Sequence, residues 1–245
     1  MRLEYKYIVP LYKLESLRQK LMPFVEYDPY SNTNESREYT VKSIYLDSKR
    51  FKDYNDKREG VYKRKKIRIR GYNRTTHDSK IFLEIKKKIG SHIYKNRSRI
   101  LFSELKGFLE NKSLDSIESN KNCSDAEKFL YYYVKGSLNP ITLVTYEREA
   151  FFSKFDKSLR ITFDKNIRYK KAENCDVLFS EDSHSVNSDF FILEIKFTKG
   201  FPDWLQKILQ SLNLKRESFS KYTTSVEEII NLTSDSYSLS RKSYV

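Results

Sequence analysis

FFILEIKF, residues 190–197, decides the fold, because its central LEIK (Leu193–Lys196) recurs at Leu83–Lys86 behind a similar lead-in, Ile81-Phe82. In an extended strand successive side chains point to opposite faces, so Glu194 and Lys196 share one face while Leu193 and Ile195 share the other. Glu84 and Lys86 stand in the same relation to Leu83 and Ile85. Each copy therefore predicts a strand with one apolar and one ionic face. An ionic face that recurs is expected to line something.

Outward from the first copy the same alternation spreads. VYKRKKIRIRGY, Val61 to Tyr72, is the densest basic segment, and as a strand it puts Arg64, Lys66, Arg68 and Arg70 on one face with Ile67 and Ile69 opposite. Lys95, Arg97 and Arg99 repeat the spacing. Tyr146, Arg148, Ala150 and Phe152 share parity in a strand over 141–152, as do Arg160, Thr162 and Asp164 over 159–164. Further strands are expected at RLEYKY (2–7), YTVKSIYLD (39–47) and 167–169.

Between them the period changes to that of helices. Pro10 opens a stretch with Leu11, Leu14, Leu17 and Leu21 on one side, closed by Pro23. Ser103–Glu110 is a short helix, and Ser124 to Glu127 reads as a capping box ahead of Phe129, Leu130, Tyr133 and Val134. Pro202 starts a helix with Trp204, Leu205, Ile208, Leu209 and Leu212 on one stripe, Trp204 being a core anchor. Residues 217–232 are also helical by pattern. Asp28–Ser36 and Phe51–Gly60 read as polar connectors, and the Ser-rich tail 233–245 as disordered. This predicts one α+β domain over 1–232: an antiparallel β-barrel tunnel of about eight strands with a charged interior, flanked by helices.

Composition narrows the class of partner. The net charge is +14, from 47 Lys and Arg against 33 Asp and Glu, which favours anionic partners without choosing among them. No stretch approaches eighteen uninterrupted apolar residues, and the charged start lacks the apolar core of a signal peptide. Cys123 and Cys175 have no metal-ligand spacing, so a reducing, cytoplasmic setting is expected. The six glycines give neither GxGxxG nor GxxxxGK[ST], so neither a Rossmann nor a P-loop nucleotide site is supported. His77, His92 and His184 lie in polar sequence without HExxH spacing and are not expected to act in catalysis or metal binding. The aromatic run Tyr131 to Tyr133 reads as helix packing.

A barrel can turn charged side chains inward only if its interior holds water, ions or a ligand. Two like charges about 6 Å apart at an effective dielectric near 20 repel by roughly 3 kcal/mol. Several such pairs would consume much of the ~5–15 kcal/mol by which domains are stable. A polyanion relieves that repulsion through charge-assisted hydrogen bonds. Glu residues among the bases offer hard oxygen ligands to Mg2+ or Mn2+.

In this order, RLEYKY, YTVKSIYLD, RKKIRIRGY, FLEIKKK, KNR, YEREAF, LRITFD, ILEIK and SKY resemble the VTC (vacuolar transporter chaperone) polyphosphate polymerase domain of the triphosphate tunnel metalloenzymes, a superfamily that includes CYTH proteins. The resemblance covers about residues 1–230. It implies transfer of the γ-phosphoryl of ATP to a growing polyphosphate chain, with Mn2+ or Mg2+. It also implies roles: Lys6, Arg68, Arg70, Lys86, Arg148 and Arg160 grip phosphates, Lys95 joins them, Glu194 holds the metal, and Lys221 of SKY contacts nucleotide or product. Arg64, Lys66 and Lys196 are expected to bind substrate, and Glu4 matches a further charged position. ATP and inorganic polyphosphate are the expected partners, with no nucleic acid, and with room for a membrane-embedded partner although this chain carries no span.

Three other readings share these residues. A tunnel triphosphatase would use the same grip and metal but release orthophosphate. A non-catalytic basic protein binding nucleic acid would not need Glu194. The blandest reading makes the RKKIRIR strand a solvated face and Glu194 a plain ion pair with Lys196. Glu84 is expected to be such an ion-pair partner and not a metal ligand.

Overall fold

The computed structural model describes residues 3–31, 36–90, 92–117, 124–180, 184–185 and 189–242, with side chains at 116, 184–185 and 232–242 excepted. Arg2, Cys123, part of the 28–36 loop, the His184 side chain and the end of the tail therefore lie outside the described residues. The strands are β1 (Leu3–Pro10), β2 (Val25–Tyr27), β3 (Tyr39–Asp47), β4 (Lys63–Tyr72), β5 (Lys80–Ile89), β6 (His92–Leu101), β7 (Asn139–Ser153), β8 (Arg160–Lys171), β9 (His184–Ser185) and β10 (Phe190–Phe197). The helices are α1 (Leu14–Leu21), α2 (Lys52–Arg58), α3 (Phe102–Asn111), α4 (Ser124–Lys135), α5 (Asp203–Ser211) and α6 (Lys221–Lys242). This is the α+β class with antiparallel strands that the alternation predicts. The chain divides into two compact units, the first made of 1–41, 145–168 and 184–219, the second of 42–144, 169–183 and 220–245.

In the first unit the hydrogen-bonded order is β1-β10-β8-β7, with antiparallel registers Lys6↔Glu194 and Glu194↔Thr162. Phe191, Leu193, Ile195 and Phe197 of β10 join Ile161 and Phe163 of β8 in a core. Leu17 and Leu21 of α1 and Leu205, Ile208 and Leu209 of α5 close over it. Each side chain so buried stabilises the fold by about 1.5–3 kcal/mol. Trp204 stacks on Phe24 with ring centroids 4.5 Å apart, in the anchoring place its helix stripe predicts. The apolar face is thus covered, and the even-numbered residues of β1, β8 and β10 are turned the other way.

The second unit repeats the logic in the order β3-β4-β5-β6. Ile67, Ile69, Ile81, Leu83, Ile85 and Ile100 pack under Leu105 and Phe108 of α3 and Phe129 of α4. A tertiary tie holds the start of α4: the Asp125 carboxylate accepts from Asn96 Nδ2 at 2.8 Å and from the Arg97 amide at 3.0 Å, fastening α4 to β6. Two members of the aromatic run, Tyr132 and Tyr133, pack on this core, while Tyr131 is exposed.

Several local expectations are corrected. The connector 51–60 contains α2, whose first-turn amides at Asp53 and Tyr54 are capped by the Asp47 carboxylate (both 3.0 Å) from the end of β3. The usual N-cap position does not announce that helix, because its entry residue Phe51 is left-handed (φ 53°) and the side-chain caps come from Asp47 and from Ser48, whose Oγ accepts from the Lys52 amide at 3.2 Å. The separate strands expected at 159–164 and 167–169 form one strand, β8, with a left-handed Asn166 (φ 48°) between them. Pro202 stands at the N-cap of α5, not inside its first turn. The helix read over 217–232 starts at Lys221 and its backbone runs to Lys242.

Candidate functional site

Register builds one charged face in the second unit. Antiparallel pairing sets Arg68, Glu84 and Arg97 in one cross-strand row, Lys66, Lys86 and Lys95 in the next, and Arg64, Lys88 and Ile93 beyond. Glu84 is the only acidic residue in β4, β5 and β6. Its carboxylate is 2% exposed and draws Arg68 (Nη2 2.6 Å), Lys95 (2.9 Å), Arg97 (3.3 Å) and Arg70 (3.8 Å). Lys95 and Arg97 reach Oε1 at ion-pair distance but off the hydrogen-bond line. Burial opposes ionisation of Glu84, yet Arg68, Arg70 and Lys95 outweigh it and hold the carboxyl far below its usual range. Glu84 is the ion-pair hub of this face.

Arg68 also donates from Nη1 to the Tyr45 hydroxyl at 3.1 Å, and Arg70 donates from Nε to Ser43 Oγ at 3.1 Å. Burial would raise the Tyr45 pKa, but Arg68 and Arg70, with Lys221 behind them, pull it down. The Tyr45 ring stacks on Tyr222 at 5.0 Å, and the Tyr222 hydroxyl donates to Asp47 at 2.6 Å. Lys221 and Tyr222 open α6, so this stack and bond place the start of α6 beside Arg68. Lys66 Nζ donates to Ser220 Oγ at 2.6 Å. Arg64, Lys66, Arg68, Arg70, Lys86, Lys95 and Lys221 of the expected site therefore belong to this unit.

The first unit holds Lys6, Arg148, Arg160, Glu194 and Lys196. Lys6 Nζ lies 3.5 Å from Glu4 and 3.6 Å from Glu194, and donates to the Phe219 carbonyl at 3.1 Å. Lys196 pairs with Glu194 from two residues away. Burial pulls the Lys196 ammonium down to about 8 against the opposing effect of Glu194 and Glu4. Arg148 forms a forked pair with Asp164, at 2.6 and 2.8 Å. Although burial disfavours its charge, Asp164 raises its pKa well above the usual value. Arg160 donates from Nη2 to Asp28 at 2.7 Å and to the Tyr39 hydroxyl at 3.2 Å.

Two polar atoms of this face, Arg160 Nε and Thr162 Oγ1, are buried without a hydrogen-bond partner. An orphaned buried donor costs about 1–3 kcal/mol, and an anion among these strands would satisfy it. For a metal the donors are Glu4 and Glu194, bridged by Lys6. Among the described residues no three His, Cys, Asp or Glu gather into a protein-only cage. A carboxylate pair still fits Mg2+ or Mn2+, because such ions complete their shell with water and substrate phosphate oxygens.

The family model for the VTC domain matches residues 1–230. The chain belongs to the VTC domain family. No curated protein matches it. Two solved structures, each called "putative adenylate cyclase", resemble it. The one from Bacillus halodurans has a TM-score of 0.50 at 12% identity, covering 90% of this chain and 94% of that one. The one from Vibrio parahaemolyticus has a TM-score of 0.44 at 11% identity, covering 89% and 94%. The Bacillus halodurans likeness shows that the VTC chain shares that protein's fold.

The structure adds residues to the expected site. Arg97 had the right parity in sequence, but only pairing with β5 brings it to Glu84, with its guanidinium 3.6 Å from the Phe82 ring centre. Asp164 shares parity with Arg160, so its place on the face was readable, whereas its pairing with Arg148 was not. Asp28 and Tyr45 carry no signal in the sequence. Among the described residues no helix is long and apolar enough to cross a membrane. Cys175 is a free thiol that burial pushes up to about 12, so it stays protonated and unreactive.

Proposed function

We propose that this VTC domain is a polyphosphate polymerase that transfers the γ-phosphoryl group of ATP to the end of an inorganic polyphosphate chain. The observation that carries the reading is the Glu84 hub, where Arg68, Arg70, Lys95 and Arg97 converge on one buried carboxylate in strands otherwise charged only by bases. Such a face favours a linear, densely charged anion. Membership of the VTC family and the orphaned Arg160 Nε and Thr162 Oγ1 support the same ligand.

Phosphoryl transfer asks for in-line positioning and neutralised equatorial oxygens more than for a protein nucleophile. A terminal phosphate oxygen of the acceptor chain attacks the γ-phosphorus, the bond from that phosphorus to the β-bridging oxygen breaks, and ADP leaves. Arg68, Arg70, Lys86 and Lys95 orient phosphates in the second unit, and Lys6, Arg148 and Arg160 in the first. Lys221, brought to Tyr45 by the Tyr222 stack, contacts nucleotide or product, and Lys196 binds substrate next to Glu194. Glu194 with Glu4 would hold Mn2+ or Mg2+, which when bound supplies charge neutralisation at the transferring group. The reaction is placed in the cytoplasm, where ATP is at hand.

The test is incubation with ATP and manganese, followed by gel analysis of the product. Chains resistant to nuclease and sensitive to exopolyphosphatase are expected, and Glu194→Ala should abolish them. Release of only ADP and orthophosphate would replace the polymerase with a triphosphatase.

A further inference from the structure

Helix α4 has a second face that the core does not use. Its inner side, with Ala126 and Phe129, is buried in the second unit. Leu130, Tyr131 and Val134 line a groove of about 500 Å3 together with Leu114, just after α3, and Glu127 and Lys135 frame it one turn before and one turn after Tyr131. Tyr131 is 53% exposed and Val134 46%. A single exposed apolar side chain is ordinary on a folded protein, but here several share one concave surface.

The charges around the groove are ordered. Glu127, Tyr131 and Lys135 are four residues apart, so they form one ridge along the helix, with Leu130 and Val134 on the ridge beside it. The acid stands at the amino end, the base at the carboxyl end and the ring midway, each charge about 6 Å from the centre at the usual helical rise. Turned by a two-fold rotation about Tyr131, this ridge meets its own complement. Glu127 of one copy comes level with Lys135 of the other, twice, and the two Tyr131 rings meet. A parallel pairing would set like charges together instead. Among the described residues Glu127 has no ion-pair partner, whereas its neighbour Lys128 is paired with Asp125 at 3.2 Å. Lys135 Nζ donates to the Tyr131 hydroxyl at 2.7 Å, which leaves the ammonium two further donors.

We infer that the outer face of α4 is a homodimerisation surface, on which a second copy of this chain packs its own α4 antiparallel about a two-fold axis at Tyr131, with two Glu127–Lys135 pairs at the ends. One patch that complements itself is what a closed two-fold assembly requires. The Tyr131 ring suits its centre, since a large side chain with one polar tip is stable both half-exposed and covered. A single helix pair buries less than the ~1,600 Å2 of a standard interface, so the association is micromolar and not nanomolar.

The experiment is sedimentation velocity of the full chain between about 1 and 300 μM, a range that brackets micromolar association. The wild-type protein should pass from monomer to dimer. Glu127→Lys and Lys135→Glu should each weaken self-association by about tenfold or more, because like charges then face one another twice. An equimolar mixture of those two variants should recover a heterodimer of near wild-type affinity, since each supplies the charge that the other needs. The double variant Glu127→Lys/Lys135→Glu should dimerise by itself, and it decides the matter should either single variant misfold by circular dichroism. Tyr131→Ser should weaken the dimer without rescue by mixing. A wild-type protein that stays monomeric throughout would overturn the inference and give the groove to a partner of another kind. A dimer indifferent to both charge reversals would place the interface elsewhere, and reversals that mixing does not rescue would reject the antiparallel pairing.

Discussion

The charged faces of the two units are built from the same kind of strand and neutralised in opposite ways. On β1, β7, β8 and β10, the cations have acids at hand: Lys6 with Glu4 and Glu194, Lys196 with Glu194, Arg148 with Asp164, Arg160 with Asp28. On β4, β5 and β6, Arg68, Arg70, Lys95 and Arg97 share Glu84. The first face is close to balanced and keeps carboxylates that suit a metal. The second is dominated by bases and suits a polyanion. The difference teaches that alternation fixes which residues share a face, while the ratio of acid to base on that face sets the charge it presents.

The largest effect expected from breaking this contrast is at Glu194. Glu194→Ala removes the central acid of the balanced face, and ATP-dependent chain synthesis should fall by about a thousandfold or more, the scale of losing a main transition-state electrostatic contact. Tripolyphosphate should still raise the melting temperature, because the second unit's bases remain. Loss of that shift would show that the two faces do not divide the work in this way.

Glu84→Gln tests the other face through stability. It leaves Arg68 and Arg70 converging on a neutral side chain in a buried place, and truncating one side of a buried ion pair costs about 3–5 kcal/mol. Chemical denaturation should show that loss, and added tripolyphosphate should recover more stability in the variant than in the wild type. A variant as stable as the wild type would mean that Glu84 is not the hub.

Arg68→Lys should have a smaller effect. The charge persists, but the fork that reaches Glu84 from Nε (2.7 Å) and Nη2 and Tyr45 from Nη1 is lost. Tripolyphosphate affinity should weaken by about tenfold. An unchanged affinity would show that position 68 works by charge alone.

The smallest effects separate the faces along the pH scale. The folded-state pKa of Glu84 lies below its unfolded value near 4.5, so its stabilisation is complete above that value and is lost as pH falls below it. Lys196 is held near 8 against 10.5 when unfolded. Between those values the unfolded chain binds the proton more tightly, so stability should rise with pH from about 8 to 10.5. Subtracting the melting curves of Glu84→Gln and Lys196→Met from the wild type should place one difference at acid pH and the other at alkaline pH. A difference curve without that displacement would remove the electrostatic contrast.

Much of the molecule was written into local pattern. LEIK and RKKIRIRG show their faces by a period of two, and the stripe from Trp204 to Leu212 shows its helix by a period of 3.6, because side-chain direction follows from backbone geometry alone. What escaped depended on distant partners. Helix α2 is capped by Asp47 from the end of β3 and by Ser48 at the Lys52 amide, and Asp47 is itself held by Tyr222 from α6, a tie that local pattern does not show. The Asp125 carboxylate likewise binds Asn96 and Arg97 of β6, a pairing that local pattern does not show.

By itself, then, the sequence determined most of the long strands, the residues on each charged face, the large basic excess and the family. Tertiary structure decided the pairs. Whether a lysine on a charged face meets a carboxylate or another lysine depends on register, which hydrogen bonding between strands sets across gaps of tens to hundreds of residues. Lys86 and Lys196 occupy the same place in the same four letters, yet register sets Lys86 between Lys66 and Lys95, and Lys196 between Glu4 and Arg160. A difference of a few ångströms in what stands opposite sets one motif among like charges and the other beside a carboxylate, because Coulomb energy depends on distance and not on sequence.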